Sequence, residues 1–75
     1  MTLVNQDTVL EAAQTMGDFT TRQMAVRVYG DLEYNHFSAT YNKLQTLFKR
    51  GFIVKLGKIK DQYSNQPQIQ WRAVL

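Results

Sequence analysis

The chain has 75 residues, 44% of them apolar and nine aromatic, with no cysteine and a net charge of +3 from nine basic and six acidic side chains. That length supports one domain, residues 1–75, and the composition is that of a folding chain. Disulfides, thiolate catalysis and the common zinc knuckles are excluded. With a single histidine, no metal site is expected, and no phosphate-loop, dinucleotide or nucleophile-elbow motif points to a cofactor or an enzyme. No apolar run approaches the ~20 residues needed to cross a bilayer, and no charged-then-apolar leader opens the sequence. A cytoplasmic protein with no membrane partner is therefore expected. A domain this small has little room for a deep pocket, which favours a binding module over a catalyst.

The charge is divided along the chain. Residues 1–42 carry Arg22 and Arg27 against Asp7, Glu11, Asp18, Asp31 and Glu33; residues 43–75 carry Lys43, Lys49, Arg50, Lys55, Lys58, Lys60 and Arg72 against Asp61 alone. A half-chain of one sign makes a local field that attracts polyanions. Plain solvation of a helix face and a hairpin is the simpler explanation of the same lysines.

A first helix is predicted after Asn5, a good N-cap, with Asp7 in the first turn and Val4 stapled to Val9. Val9, Leu10, Ala13 and Met16 recur at helical spacing, and Gly17 stops it. Thr20 and Gln23 then form a capping box, with Phe19 and Met24 at the staple positions, opening a second helix that ends near Tyr29-Gly30. Phe19 is expected to be extended, in a short third strand pairing with a later hairpin. The third helix is predicted from about Asn35 to Arg50, with Gly51 as its stop. Its apolar stripe is Phe37, Thr40 or Tyr41, Leu44, Leu47 and Phe48. Asp31 and Asn35 are alternative caps for its start. Phe52 to Lys60 alternates and reads as a strand, as does Gln68 to Val74, which puts Ile69, Trp71 and Ala73 on one face. The polar segment 61–67, with Ser64 in it, joins them as a loose turn. Leu3, Val4 and Tyr29 form a modest apolar patch.

Helix, short strand, helix, helix, strand, strand is the order of an α+β winged helix-turn-helix domain: three helices followed by a two-stranded β-hairpin wing. The resemblance rests on Phe19-Thr20-Thr21-Arg22-Gln23-Met24 and on the stretch from Ala39 to Ile53, with Leu44, Leu47, Gly51 and Ile53 in the order of a recognition helix and its exit. The chain resembles the DNA-binding domains of the multiple-antibiotic-resistance regulators and, through Thr40-Tyr41-Asn42, of the ferric-uptake regulators. It departs from the compact motif: ten residues separate Gly30 from Thr40, and threonine stands where an aliphatic residue is usual.

The resemblance implies sequence-specific binding to double-stranded DNA, as in a small transcriptional regulator. A helix in the major groove keeps its apolar stripe behind it, which leaves His36, Ser38, Ala39, Tyr41, Asn42, Lys43 and Thr46 in front. Asn42 suits adenine, Lys43 suits guanine, and Ala39 and Thr46 suit a thymine methyl. Tyr41 would reach a base edge or a phosphate; packing beside Leu44 and Phe48 is its alternative. Thr20, Thr21 and Arg22, at the start of the second helix, and Lys55, Lys58 and Lys60, along the wing, are the expected phosphate contacts. A monomer or weak homodimer that pairs on DNA is expected. Two other uses fit the same fold: a protein-interaction module anchored by Tyr29, Tyr34 and Tyr63, and a phage or plasmid accessory DNA-binding protein.

Overall fold

Local capping chemistry sets the first two helices. The structure, a computed structural model, describes residues 4–63 and 65–74. Leu3, counted above in the apolar patch, and Ser64, counted in the turn, lie outside the described residues. Helix α1 spans Gln6–Met16, and the Asn5 carboxamide accepts the Thr8 amide at 2.9 Å. Strand β1, Asp18–Thr20, leads directly into α2, Thr21–Tyr29. Both halves of the predicted capping box form there: Gln23 N–H donates to Thr20 Oγ1 at 3.2 Å, and Thr20 N–H donates to Gln23 Oε1 at 2.9 Å.

Helix α3 runs Tyr34–Lys49, and neither expected cap starts it. Glu33 holds the N-cap position without a side-chain bond, while Asp31 accepts the Glu33 amide at 3.1 Å from outside the helix. At the other end, Phe52 N–H reaches Leu47 O at 3.0 Å and Gly51 N–H reaches Phe48 O at 3.1 Å, the paired bonds of a Schellman stop. Gly51 takes φ +84° to make them, a conformation that costs other residues strain.

The hairpin strands are β2, Ile53–Ile59, and β3, Gln68–Ala73, so β2 is one residue shorter at each end than the alternation suggested. With β1 they form an antiparallel sheet in the order β1-β3-β2. The register skips between Lys55 and Gly57, leaving Leu56 as the extra residue of a bulge, and Gly57 takes φ +121° there. Asp18 and Arg72, paired across β1 and β3, form a two-pronged ion pair at 2.6 and 2.9 Å. The guanidinium hydrogen bonds hold the Asp18 carboxyl below its ordinary value and raise Arg72.

All three helices close on one face of this sheet. Val9, Ala12 and Ala13 from α1, Phe19 from β1, Met24 from α2, and Leu44 and Leu47 from α3 surround Trp71, with Ile53 and Ala73 beside it. Trp71 is fully buried; its indole N–H donates to Thr21 Oγ1 at 3.0 Å, and the rings of Tyr41 and Phe48 meet it edge-on. Phe48 is only partly covered, so it borders the core and does not belong to the fully buried stripe.

Thr40 fills the third-helix core position with 0% exposure, and its hydroxyl has no hydrogen-bond partner among the described residues. An unsatisfied buried hydroxyl is destabilising, whereas valine has nearly the same shape. Thr40→Val is expected to stabilise the domain by about 1 kcal/mol, read as an upward shift of its thermal midpoint.

Candidate nucleic-acid interface

With Thr40, Leu44 and Leu47 buried, helical periodicity turns Asn35, Ser38, Ala39, Asn42, Gln45, Thr46 and Lys49 away from the core. Asn35, Asn42 and Lys49 are exposed, and the other four are half-buried. This face therefore unites Ser38, Ala39, Asn42 and Thr46 from the sequence reading. It adds Asn35 and Gln45, which that reading missed although their positions on the helical wheel single them out, and Lys49, which the last turn of the helix already offered as either a phosphate contact or a complement to the helix dipole. Thr46 spends its hydroxyl on Asn42 O at 3.0 Å, which leaves its methyl group to face outward contacts.

Tyr41 and Lys43 lie on opposite flanks of that face. Tyr41 is half-buried, its ring against Trp71, and its hydroxyl accepts Gln45 Nε2–H at 2.8 Å. Its aromatic body thus packs against the core, and its oxygen is engaged by Gln45 in a part-buried hydrogen bond. Lys43 is half-buried beside Val4 and Gln6, in a shallow recess between α1 and α3 that Asn42 and Thr46 also line. On the same side Arg50 donates to Gln6 Oε1 at 3.1 Å and covers the Phe52 ring, so it braces the domain.

His36 departs from its expected role as a groove contact. Its ring stacks on Tyr29 with centroids 4.3 Å apart, and Nδ1 lies 2.5 Å from the Asp31 carboxylate. That hydrogen bond, with the one from the Glu33 amide, lowers the Asp31 carboxyl below its usual value. Ligand atoms of Asp31, Glu33 and His36 fall within 4.8 Å of one another, but the two hydrogen bonds to Asp31 account for this as a lock on the α2–α3 turn. Two exposed carboxylates at this end of α3 also oppose phosphate, so the cationic surface belongs to its middle and C-terminal half.

The predicted phosphate contacts at the start of α2 need correction. Thr20 is 0% and Thr21 3% exposed. Thr21 Oγ1 is taken by Trp71, and Thr20 Oγ1 donates to Asp61 Oδ2 besides accepting the Gln23 amide. Arg22 is half-buried with its guanidinium 5.0 Å from the Phe37 ring centroid and its Nε buried, a packing role between α2 and α3. Asp61 places a carboxylate where an anion was expected.

That contact also revises the hairpin tip. Instead of a loose turn, the segment after β2 folds back on α2: Asp61 bonds Thr20, and Gln23 Nε2–H donates to Gln62 Oε1 at 3.0 Å. Asp61 Oδ1 accepts the Tyr63 amide at 2.9 Å, which tightens the bend. The hairpin is thereby held against the body of the domain, with Lys60 exposed at the bend.

Paired residues share a sheet face, so Lys55 opposite Trp71 and Lys58 opposite Ile69 lie on the side that carries α3. Lys55 Nζ stands 4.7 Å from the Phe48 ring centroid and 5.4 Å from that of Trp71. Among the described residues, none of Lys43, Lys49, Lys55, Lys58 and Lys60 has a carboxylate within ion-pair distance; the paired cations are His36, when charged, and Arg72. The result is a polar helix face flanked by unneutralised lysines on a two-stranded ribbon. No helix among the described residues is long and apolar enough to cross a membrane.

Comparison of the chain with protein-family models, with curated proteins and with solved structures finds no match.

Proposed function

We propose that this chain is a small sequence-specific double-stranded-DNA-binding protein of the winged helix-turn-helix type, acting as a transcriptional regulator without catalysis or a cofactor. The element order α1-β1-α2-α3-β2-β3 and the sheet order β1-β3-β2 support the fold reading. The observation that carries the function is the shared side of α3 and the hairpin: short polar side chains on one, Lys55 and Lys58 on the other, and, among the described residues, no carboxylate paired with either lysine.

At 16 residues α3 spans ~24 Å, and a major groove ~12 Å wide admits one helix. With α3 in that groove and the hairpin beside the neighbouring minor groove, the sugar–phosphate ridge between them faces Lys55 and Lys58. Lys49 and Lys60 extend the cationic border. Asn42, at the centre of the outer face, is the base reader: its carboxamide offers the acceptor and donor that adenine matches.

Asn42→Ala is expected to lower discrimination between a selected duplex and random duplex by roughly tenfold, while nonspecific affinity stays near that of the parent. Competition mobility shifts measure both quantities. Equal discrimination by parent and variant would remove Asn42 from the reading surface. Failure of the parent to bind any duplex would turn the same fold toward a protein partner.

A further inference from the structure

We infer that Gln45 is a second base-reading residue, held in its reading orientation by Tyr41, and that the preferred duplex carries two neighbouring A·T pairs. The inference rests on the DNA-binding reading above and deepens it.

Gln45 lies one turn beyond Asn42 on the outer side of α3, and it is half-buried where the face turns toward the hairpin. A glutamine side chain on a helix surface ordinarily samples many rotamers, and ordering it on binding is unfavourable. Here that ordering is already made. Nε2–H donates to Tyr41 Oη at 2.8 Å, and the Tyr41 ring is itself fixed against Trp71. A carboxamide has two N–H donors and one carbonyl. When the N–H trans to the carbonyl goes to Tyr41, the cis N–H and Oε1 remain as an adjacent donor–acceptor edge, the pattern that matches adenine N7 and N6 in the major groove.

Asn42 carries the same edge three residues earlier. Three residues advance about 4.5 Å along a helix, against about 3.4 Å between stacked base pairs, so the two amides meet neighbouring pairs. Tyr41 is a positioning residue: it acts through Gln45, and its hydroxyl is the part that matters.

Selection from a random-sequence duplex pool, run in parallel with the parent, Gln45→Ala, Gln45→Glu and Tyr41→Phe, tests the inference. The parent is expected to enrich two adjacent A·T pairs. Gln45→Ala loses the preference at one of them, roughly tenfold, and keeps the other. Gln45→Glu, which can only accept, moves that position toward cytosine. Tyr41→Phe keeps the ring and the fold, and it weakens preference at the Gln45 position alone. A purely structural Gln45 would leave the selected sequence unaltered in all three variants, and that result overturns the inference while the DNA-binding reading survives. Enrichment of G·C pairs by the parent overturns it as well. A parent that retains no duplex overturns both.

Discussion

Trp71→Ala is expected to leave the domain largely unfolded at 25 °C. Emptying a large aromatic site costs roughly 3–5 kcal/mol, and the single core of a chain this short rarely supplies more than about that much net stability. Trp71 is also the point where the elements meet: it touches α3 through Tyr41 and Phe48, bonds α2 through Thr21, and sits in β3. Alanine would strand the Thr21 hydroxyl in the core, adding to the cavity term. Loss of far-ultraviolet helix signal and of cooperative urea unfolding is the expected readout. Trp71→Phe retains most of the ring volume and is expected to stay folded with a lower midpoint. A folded, cooperative alanine variant would mean that the hairpin is not fastened to the helices through this side chain.

Lys58→Ala with Lys60→Ala is expected to weaken binding to every duplex on the order of 10- to 100-fold at 0.1 M salt, without changing which sequence is preferred. Each lysine on a phosphate releases about one counterion, so the slope of log affinity against log salt should flatten by about two. Fluorescence anisotropy with a selected and a scrambled duplex, each across a salt series, measures both effects. A structural role for these lysines predicts something different. β2 is an edge strand on which Val54, Leu56 and Ile59 are exposed, and charge along an edge discourages strand pairing between molecules. If that were their whole purpose, the double variant would self-associate and bind DNA with an unaltered slope.

Much of the fold could be read from the sequence because its signals are local. Asn5, the Thr20–Gln23 box and the glycines at 30 and 51 act within a few residues, and the hairpin declares itself by the change of period after Gly51. A short strand at Phe19 pairing with the hairpin followed from extended backbone ahead of a cap, whereas the register that sets Phe19 opposite Trp71 is visible only in the fold. What escaped the sequence depends on distance along the chain. Thr20 and Asp61 are 41 residues apart, and nothing near either predicts that the hairpin turn folds back on α2. The cap of α3 escaped for the opposite reason: the helix starts at Tyr34, one residue from the expected Asn35, but Glu33 holds the cap position without a side-chain bond that would mark it.

The candidate site divides in the same way. The outer face of α3 follows from periodicity once the buried stripe is known, and Ser38, Ala39, Asn42 and Thr46 lie on it. Thr20 and Thr21 looked available because hydroxyls at a helix start suit phosphate. Their side chains instead satisfy Asp61 and Trp71, partners that only the folded chain supplies. His36 was drawn into the turn by Tyr29 and Asp31, and Gln45 gained a fixed orientation from Tyr41.

The unneutralised lysines beside the wet face of α3 are the centre of the account, and the salt dependence of the parent protein on duplex DNA tests them most directly. Four to six phosphate contacts predict a slope of about −4 to −5 for log affinity against log salt. Absence of duplex binding, or an affinity that hardly varies between 50 and 200 mM salt, would contradict the account.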